Sequence, residues 1–299
     1  MSNPTILVLG RSGLLASALA ERGHGSVVTA GRPDFDLAAP DAPSRLLDTI
    51  RPAAVVNAAA YTAVDRAESE PELAFALNRD GPAALAKACA RAGVPLIHVS
   101  TDCVFDGTKD GAYHEADTPR PLNIYGASKR AGERAVLEAM PSALVVRTSW
   151  TFGPQGESFV TRLLAWAQAR DSLTIVGDQR GKPTYAPALA EALLIFAQGM
   201  IAGNPIGGLM HLAGETALSR AEQAQIILDL ARERGGPWAR VIPIPSSAHP
   251  TAARRPLNAV LDCTLAVKRG IALGPFRHDV DIALDCLLGP AASARRHTA

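Results

Sequence analysis

Short apolar runs alternate with longer amphipathic stretches through the first half of the chain. Residues 5–9 (TILVL), 26–30 (SVVTA), 54–57 (AVVN), 96–100 (LIHVS) and 143–147 (ALVVR) are each of strand length and rich in aliphatic side chains. Such runs predict strands buried on both faces. Between them, residues 14–22, 43–50, 70–91 and 125–139 carry helical spacing, clearest at Leu73, Leu77, Leu85 and Cys89. Strands alternating with helices predict a parallel sheet covered on both sides, the Rossmann-type doubly wound α/β class. Beyond a Gly- and Asp-rich loop at 107–118 and Trp150, the units become irregular. Residues 174–176 and 209–212 read as short strands, 187–200 and 219–232 as helices, 178–184 as a Gly/Pro-rich loop and 242–256 as a Pro-rich segment. The expected organisation is a first domain over 1–150, a smaller C-terminal lobe over 151–290 partly interleaved with it, and a flexible tail at 291–299.

Composition narrows the function classes. The 299 residues are 47% hydrophobic and carry a formal net charge of +1, so no global field draws the molecule to nucleic acid or to a membrane. No apolar stretch is long enough for a membrane span and no leader-like segment opens the chain, so the expected compartment is the cytoplasm. Cys89, Cys103, Cys263 and Cys286 form no CxxC and no metal-ligand spacing, and read as reduced thiols.

The first chemical feature is Gly10-x-x-Gly13-x-x-Ala16, directly after the first strand and opening a helix. Glycines there let the backbone approach a pyrophosphate, which sits on the helix N-terminus. Gly10, Ser12, Gly13, Leu14 and Leu15 are therefore expected to line a dinucleotide, making residues 1–150 an NAD(P)-binding domain. The second strand ends at Ala30-Gly31-Arg32 with no carboxylate before Asp34. Arg32, with Arg11 near it, favours a 2′-phosphate and so NADPH, with NADH possible; as a bland alternative Arg32 is a solvated loop charge. Asp36 and Leu37 are the expected adenine-edge contacts.

The second feature is Tyr125-Gly-Ala-Ser-Lys129. Residues i and i+4 share a helix face, so phenol and ammonium meet, and a nearby cation lowers the phenol pKa toward use as a proton donor. The strand at 96–100 ends in Ser100-Thr101-Asp102, the sheet edge where ligands bind in such folds, and the Thr101 hydroxyl is placed to bond the same substrate oxygen.

On these residues the chain resembles the extended short-chain dehydrogenase/reductase superfamily, and within it the dTDP-4-dehydrorhamnose reductase family. The segments that carry the likeness are 55–70 (VVNAAAYTAVDRAESE), 100–107 (STDCVFDG), 147–150 (RTSW), 178–185 (DQRGKPTY) and 254–258 (RRPLN). The resemblance implies NADPH-dependent reduction of the C4 ketone of dTDP-4-dehydro-L-rhamnose to dTDP-L-rhamnose, a precursor of bacterial surface polysaccharide. It implies Thr101, Tyr125 and Lys129 as the catalytic set, and Ala60, Tyr61, Thr62 and Val99 along the cofactor. Asp102, the residue at Cys103 and Trp150 would face the deoxysugar, and Arg255 and Asn258 the nucleotide end.

Three positions depart from the family pattern. Cys103 stands where Tyr is usual, which leaves open a 4-ketoreductase or epimerase acting on another nucleotide sugar. Leu14-Leu15-Ala16 replaces Gln-(Val/Leu)-Gly. Ala18 stands where some members carry a glutamate that bridges subunits through Mg²⁺, so no such metal is expected, and the chain is expected to be a monomer or homodimer. A third reading is a non-catalytic nucleotide-binding regulatory subunit, which would not need an intact Thr101/Tyr125/Lys129 set.

Overall fold

The first strand shows how the sheet is built. In β1 (Ile6–Leu9) all four side chains are buried. Ile6 and Val8 pack on one side with Ala16, Leu19, Leu189 and Leu193, while Leu7 and Leu9 pack on the other with Leu47, Leu85 and Val136. Alternate residues of a strand point to opposite faces, so an unbroken apolar run needs helices on both. Each such buried side chain contributes about 1.5–3 kcal/mol. The computed structural model describes residues 5–39, 41–204 and 206–291; of the expected tail, 292–299 lie outside the described residues.

After β1 come α1 (Leu14–Arg22), β2 (Val27–Ala30), α2 (Ala42–Ile50), β3 (Ala54–Asn57), α3 (Pro71–Phe75), α4 (Gly81–Ala92), β4 (Leu96–Thr101), α5 (Ile124–Ala139) and β5 (Leu144–Thr148). There follow β6 (Thr151–Phe152), α6 (Phe159–Gln168), β7 (Ser172–Val176), β8 (Arg180–Gly181), β9 (Thr184–Tyr185), α7 (Ala186–Ile201) and β10 (Gly208–His211). The described chain closes with β11 (Leu218–Ser219), α8 (Arg220–Glu233), β12 (Arg240–Ile244), α9 (Thr264–Lys268) and α10 (Phe276–Leu288).

Six strands form one parallel sheet in the order β10-β5-β4-β3-β1-β2. The order reverses between β1 and β3, the kind of switch point at which such sheets bind ligands beyond their carboxyl ends. Segments from beyond residue 150 complete this layer: β10 pairs with β5 as the edge strand and α7 packs on α1. A second core joins α6, β7, α8 and α10 around Leu163, Ile227, Phe276 and Val280.

The structure departs from the sequence-based expectation in several places. The single helix expected over 70–91 is broken: α3 and α4 flank a π-helical turn at Ala76–Asp80. Pro82 lacks an N–H to continue the ladder, and the turn carries buried Asn78, whose side chain bonds Tyr61 N, Tyr61 O and Ser128 Oγ. The Pro-rich segment begins as β12, paired in parallel with β7. Two prolines obscured it, which an edge strand tolerates. Helices α6, α9 and α10 were not anticipated.

Candidate active site

The loop after β1 is a cradle. Gly10 has φ +114°, a conformation L side chains rarely adopt, and a Cβ there would lie 3.1 Å from Ala16 Cβ. Gly13 caps α1 with no side-chain hydrogen bond, and the first turn of α1 holds no acidic residue. Its N–H groups are thus left for a phosphate, which fits the dinucleotide expected there. Of the residues anticipated at the adenosine end, Arg32 and Asp36 are exposed, and Asp36 Oδ1 accepts from Ala38 N at 3.0 Å. Arg11 pairs with Asp34. Leu37 is a core residue, buried against Gly81, where an added Cβ would meet it at 2.7 Å. Tyr61 is buried, its hydroxyl donates to Glu70 at 2.6 Å and its backbone N–H and carbonyl are both bonded to Asn78; Ala60 is half-buried and Thr62 exposed.

Thr101 ends β4 at the sheet's carboxyl edge. Its hydroxyl donates to Asp102 Oδ1 at 2.9 Å and accepts from Cys103 N at 3.2 Å. Helix α5 brings Tyr125 to this edge because Gly126 has no side chain: a Cβ there would meet Cys103 O at 2.1 Å. Asn123 caps the helix, accepting from Gly126 N at 2.7 Å, and its amide nitrogen donates to Arg254 O at 2.7 Å. One turn on, buried Lys129 donates from Nζ to Val99 O at 2.7 Å.

Charge at this edge differs from the expectation. Burial pushes the Tyr125 phenol above its ordinary value, Cys103 and Asp102 add to the effect, and a hydrogen bond with Thr101 offsets only part. The lowering by Lys129 is absent because that ammonium is turned to the β4 carbonyl. Its own pKa is brought down to about 8 by burial, against the pull of Glu133. Burial likewise raises the Asp102 carboxyl to about 6, partly opposed by Thr101 and Arg220, and Asp102 Oδ2 has no hydrogen-bond partner. The Cys103 thiol is pushed up by burial and by Asp102. At neutral pH the edge therefore offers a protonated phenol, a charged Asp102 with a free oxygen, and a neutral thiol.

Trp150 follows β5 with φ +48°, and its indole lies where a Gly181 side chain would be, 2.6 Å from the position of a Cβ. Arg255 is half-buried and grips Asp65, with Nη2–Oδ2 at 2.8 Å and Nη1–Oδ1 at 3.2 Å. Asn258 is committed to backbone: Nδ2 donates to Lys109 O at 2.8 Å and Gly111 O at 2.6 Å, and Oδ1 accepts from Val260 N at 3.1 Å. It staples the 107–118 loop.

Behind the edge lies a buried network that the sequence reading missed. Glu133 accepts from Ser100 Oγ at 2.7 Å and from Arg147 Nε at 2.7 Å and Nη2 at 2.8 Å. Arg147 Nη1 is 3.3 Å from His211 Nε2, whose other ring nitrogen is 3.1 Å from Tyr113 O. Burial, with Arg147 adding, drives the His211 pKa down to about 4, so the ring is neutral, accepting from Arg147 and donating to Tyr113. The signal was present: Glu133 lies one helical turn past Lys129 on the same face. Also missed was Arg220, whose guanidinium carbon sits 3.5 Å from the Trp150 ring centroid.

The chain is similar to known proteins along most of its length. The profile of the RmlD substrate binding domain family matches residues 4–288. A dTDP-4-dehydrorhamnose reductase of Sinorhizobium fredii is 42% identical over 262 residues, covering 86% of this chain and 88% of its own. The crystal structure of a Clostridium acetobutylicum dTDP-4-dehydrorhamnose reductase superposes with a TM-score of 0.88 at 29% identity, covering 95% of this chain and 99% of the other. The Bacillus anthracis dTDP-4-dehydrorhamnose reductase, solved in complex with NADP, gives 0.86 at 28% identity, covering 94% and 98%.

Proposed function

The chain belongs to the family of dTDP-4-dehydrorhamnose reductases, and on that premise we propose that it reduces the C4 ketone of dTDP-4-dehydro-L-rhamnose to the alcohol of dTDP-L-rhamnose with NADPH. The observation that carries the reading is the Thr101–Tyr125–Lys129 edge, built beside an uncapped glycine cradle.

Gly10, Gly13 and the first turn of α1 would hold the pyrophosphate, with Arg32 at the adenosine end and Val99 along the nicotinamide side. When bound, NADPH supplies the hydride for C4. Tyr125 gives its proton to the oxygen of that carbon as negative charge develops there. With its pKa above the ordinary value the phenol holds its proton at neutral pH, and a positive charge beside it is what would bring it down toward a working acid. Thr101 donates to the same oxygen once its hydroxyl turns from Asp102, and preplaced donors of this kind stabilise charge that appears only in the transition state. Lys129 would lower the phenol pKa for the step once its ammonium turns from the Val99 carbonyl toward Tyr125. Asp102 Oδ2 accepts from a sugar hydroxyl, and Trp150 walls the pocket.

NADPH oxidation with dTDP- and UDP-linked 4-keto-6-deoxy sugars tests the reading. Turnover confined to the dTDP sugar supports it, and equal or exclusive use of the UDP sugar refutes it. No helix among the described residues is long and apolar enough to cross a membrane. We take the partner to be this small nucleotide sugar.

A further inference from the structure

Arg220 opens α8 directly after β11, which pairs antiparallel with β8 through Leu218–Gly181 and Ser219–Arg180. Gly181 lies against the Trp150 indole and Arg220 covers that indole, so one short antiparallel pairing between distant segments positions both the indole and the guanidinium. The guanidinium is half-buried, yet no carboxylate pairs with it among the described residues. Its hydrogen bond runs from Nη1 to Gln223 Oε1 at 3.1 Å. Gln223 is itself fully buried, and its Nε2 has no partner. Asp102 Oδ2, in the same corner, is also unpartnered. Two buried polar atoms thus stand unpartnered about a guanidinium with a single side-chain hydrogen bond, a costly arrangement without a ligand to complete it.

The charge there has a sign. Burial lowers the Arg220 pKa to about 10, and Arg162 and Arg255 push the same way, against Asp102 and Cys103. Arg220 remains a cation at neutral pH with two more guanidiniums facing it. Arg162 reaches only an exposed Glu157 at 3.6 Å, and Arg255 is held by Asp65. Arg220 forms no salt bridge among the described residues, so its remaining N–H donors are left for an anion. The start of α8 does not meet that need, because its N–H groups are taken by a capping box of Ser219 and Glu222.

We propose that Arg220 binds the sugar-side phosphate of the nucleotide-sugar substrate, its guanidinium seated on the Trp150 indole. This rests on the reading of the chain as a nucleotide-sugar reductase. With the sugar between Asp102 and Tyr125, the phosphate on its anomeric carbon lies at the outer side of that edge, within reach of Arg220. Arginine suits such a site because it keeps its charge when desolvated, stacks on an aromatic ring and bonds phosphate oxygens in pairs. Arg220 then fixes the distance between phosphate and ketone, and so contributes to which sugars are reduced.

The test is calorimetric titration with dTDP and with dTMP, which lacks the outer phosphate, on wild type, Arg220→Gln and Arg220→Lys. Wild type is expected to prefer dTDP. Arg220→Gln should weaken dTDP by about 10- to 100-fold, the usual effect of losing a charged hydrogen bond, and leave dTMP nearly unchanged. Arg220→Lys should recover part of the loss. Unchanged circular dichroism and NADPH affinity establish that each variant is folded. In turnover, Arg220→Gln should raise KM for the nucleotide sugar by the same factor, with the smaller part of the loss in kcat. If wild type reduces the ketone and Arg220→Gln keeps the wild-type preference for dTDP over dTMP, the role of Arg220 is overturned and the function stands. If wild type binds no dTDP and reduces no nucleotide-sugar ketone, both fall.

Discussion

Gly126→Ala is the smallest change that should separate the catalytic phenol from its strand. The added Cβ would lie 2.1 Å from Cys103 O and 3.0 Å from Pro121 Cβ. Cβ atoms essentially never come within 3.0 Å of another heavy atom, so α5 must withdraw from the end of β4 by roughly 1 Å. Cys103 cannot yield instead, because its N–H is held by the Thr101 hydroxyl at 3.2 Å. Tyr125 precedes Gly126 and moves with it, away from Thr101. A displacement of about 1 Å at reacting groups costs on the order of 100-fold in rate, and overpacking costs about 1–3 kcal/mol of stability. Steady-state NADPH oxidation with the dTDP keto sugar should show kcat down by about that factor, and urea unfolding should show the modest destabilisation. NADPH affinity at the distant glycine cradle should not move. A variant with kcat within twofold of wild type would show that the close approach of α5 to Cys103 is not what places the phenol.

Two further outcomes follow from the buried charges. Asp102 titrates at about 6, so it is a full acceptor above that pH and half-protonated at it; KM for the keto sugar should fall as pH rises through 6, and Asp102→Asn should abolish the dependence. For Glu133, burial pushes the carboxyl up, but the hydrogen bond and charge of Arg147, with Ser100 and Arg130, outweigh it and leave the pKa below its usual range. The stability it contributes is present above the unfolded-state value and is lost as pH falls through the lower folded value. Arg147→Met, which leaves that buried carboxylate only Ser100 and the half-buried Arg130, should cost about 3 kcal/mol in urea unfolding at neutral pH, and a loss under 1 kcal/mol would show that the network is slack.

Much of the fold was readable because the sheet is buried on both faces. A run such as residues 54–57 admits few other placements, and its neighbours alternate with helices in register. The second core was less legible: α6, α8 and α10 pack around a two-stranded pair, one strand of which carries Pro243 and Pro245 at its end. At the site, the chemistry of Thr101, Tyr125 and Lys129 could be inferred from spacing, since a strand end and an i,i+4 pair fix relative positions. Leu37 could not be placed that way. It follows Asp36 at the expected adenine edge, but Gly81 clears a hole that the side chain fills. Arg220 gave no local sign of its role, because Trp150, the ring it covers, lies far off in sequence; Glu133 could be placed on the Lys129 face of α5, but its partners Ser100 and Arg147 come from other elements. Nor did the Tyr125–Lys129 spacing reveal where the ammonium points; the Val99 carbonyl decides that.

The central claim is that Tyr125 delivers the proton to the reduced ketone. It is tested most directly by single-turnover reduction of dTDP-4-dehydro-L-rhamnose by NADPH-loaded wild type and Tyr125→Phe, followed by loss of NADPH absorbance. The phenyl ring keeps the packing against Tyr61, Ala67 and Ala74 and removes the acid, so the rate of the chemical step should fall by about 10²–10⁴-fold with NADPH binding unchanged. A Tyr125→Phe enzyme that reduces the ketone at the wild-type rate would contradict the account.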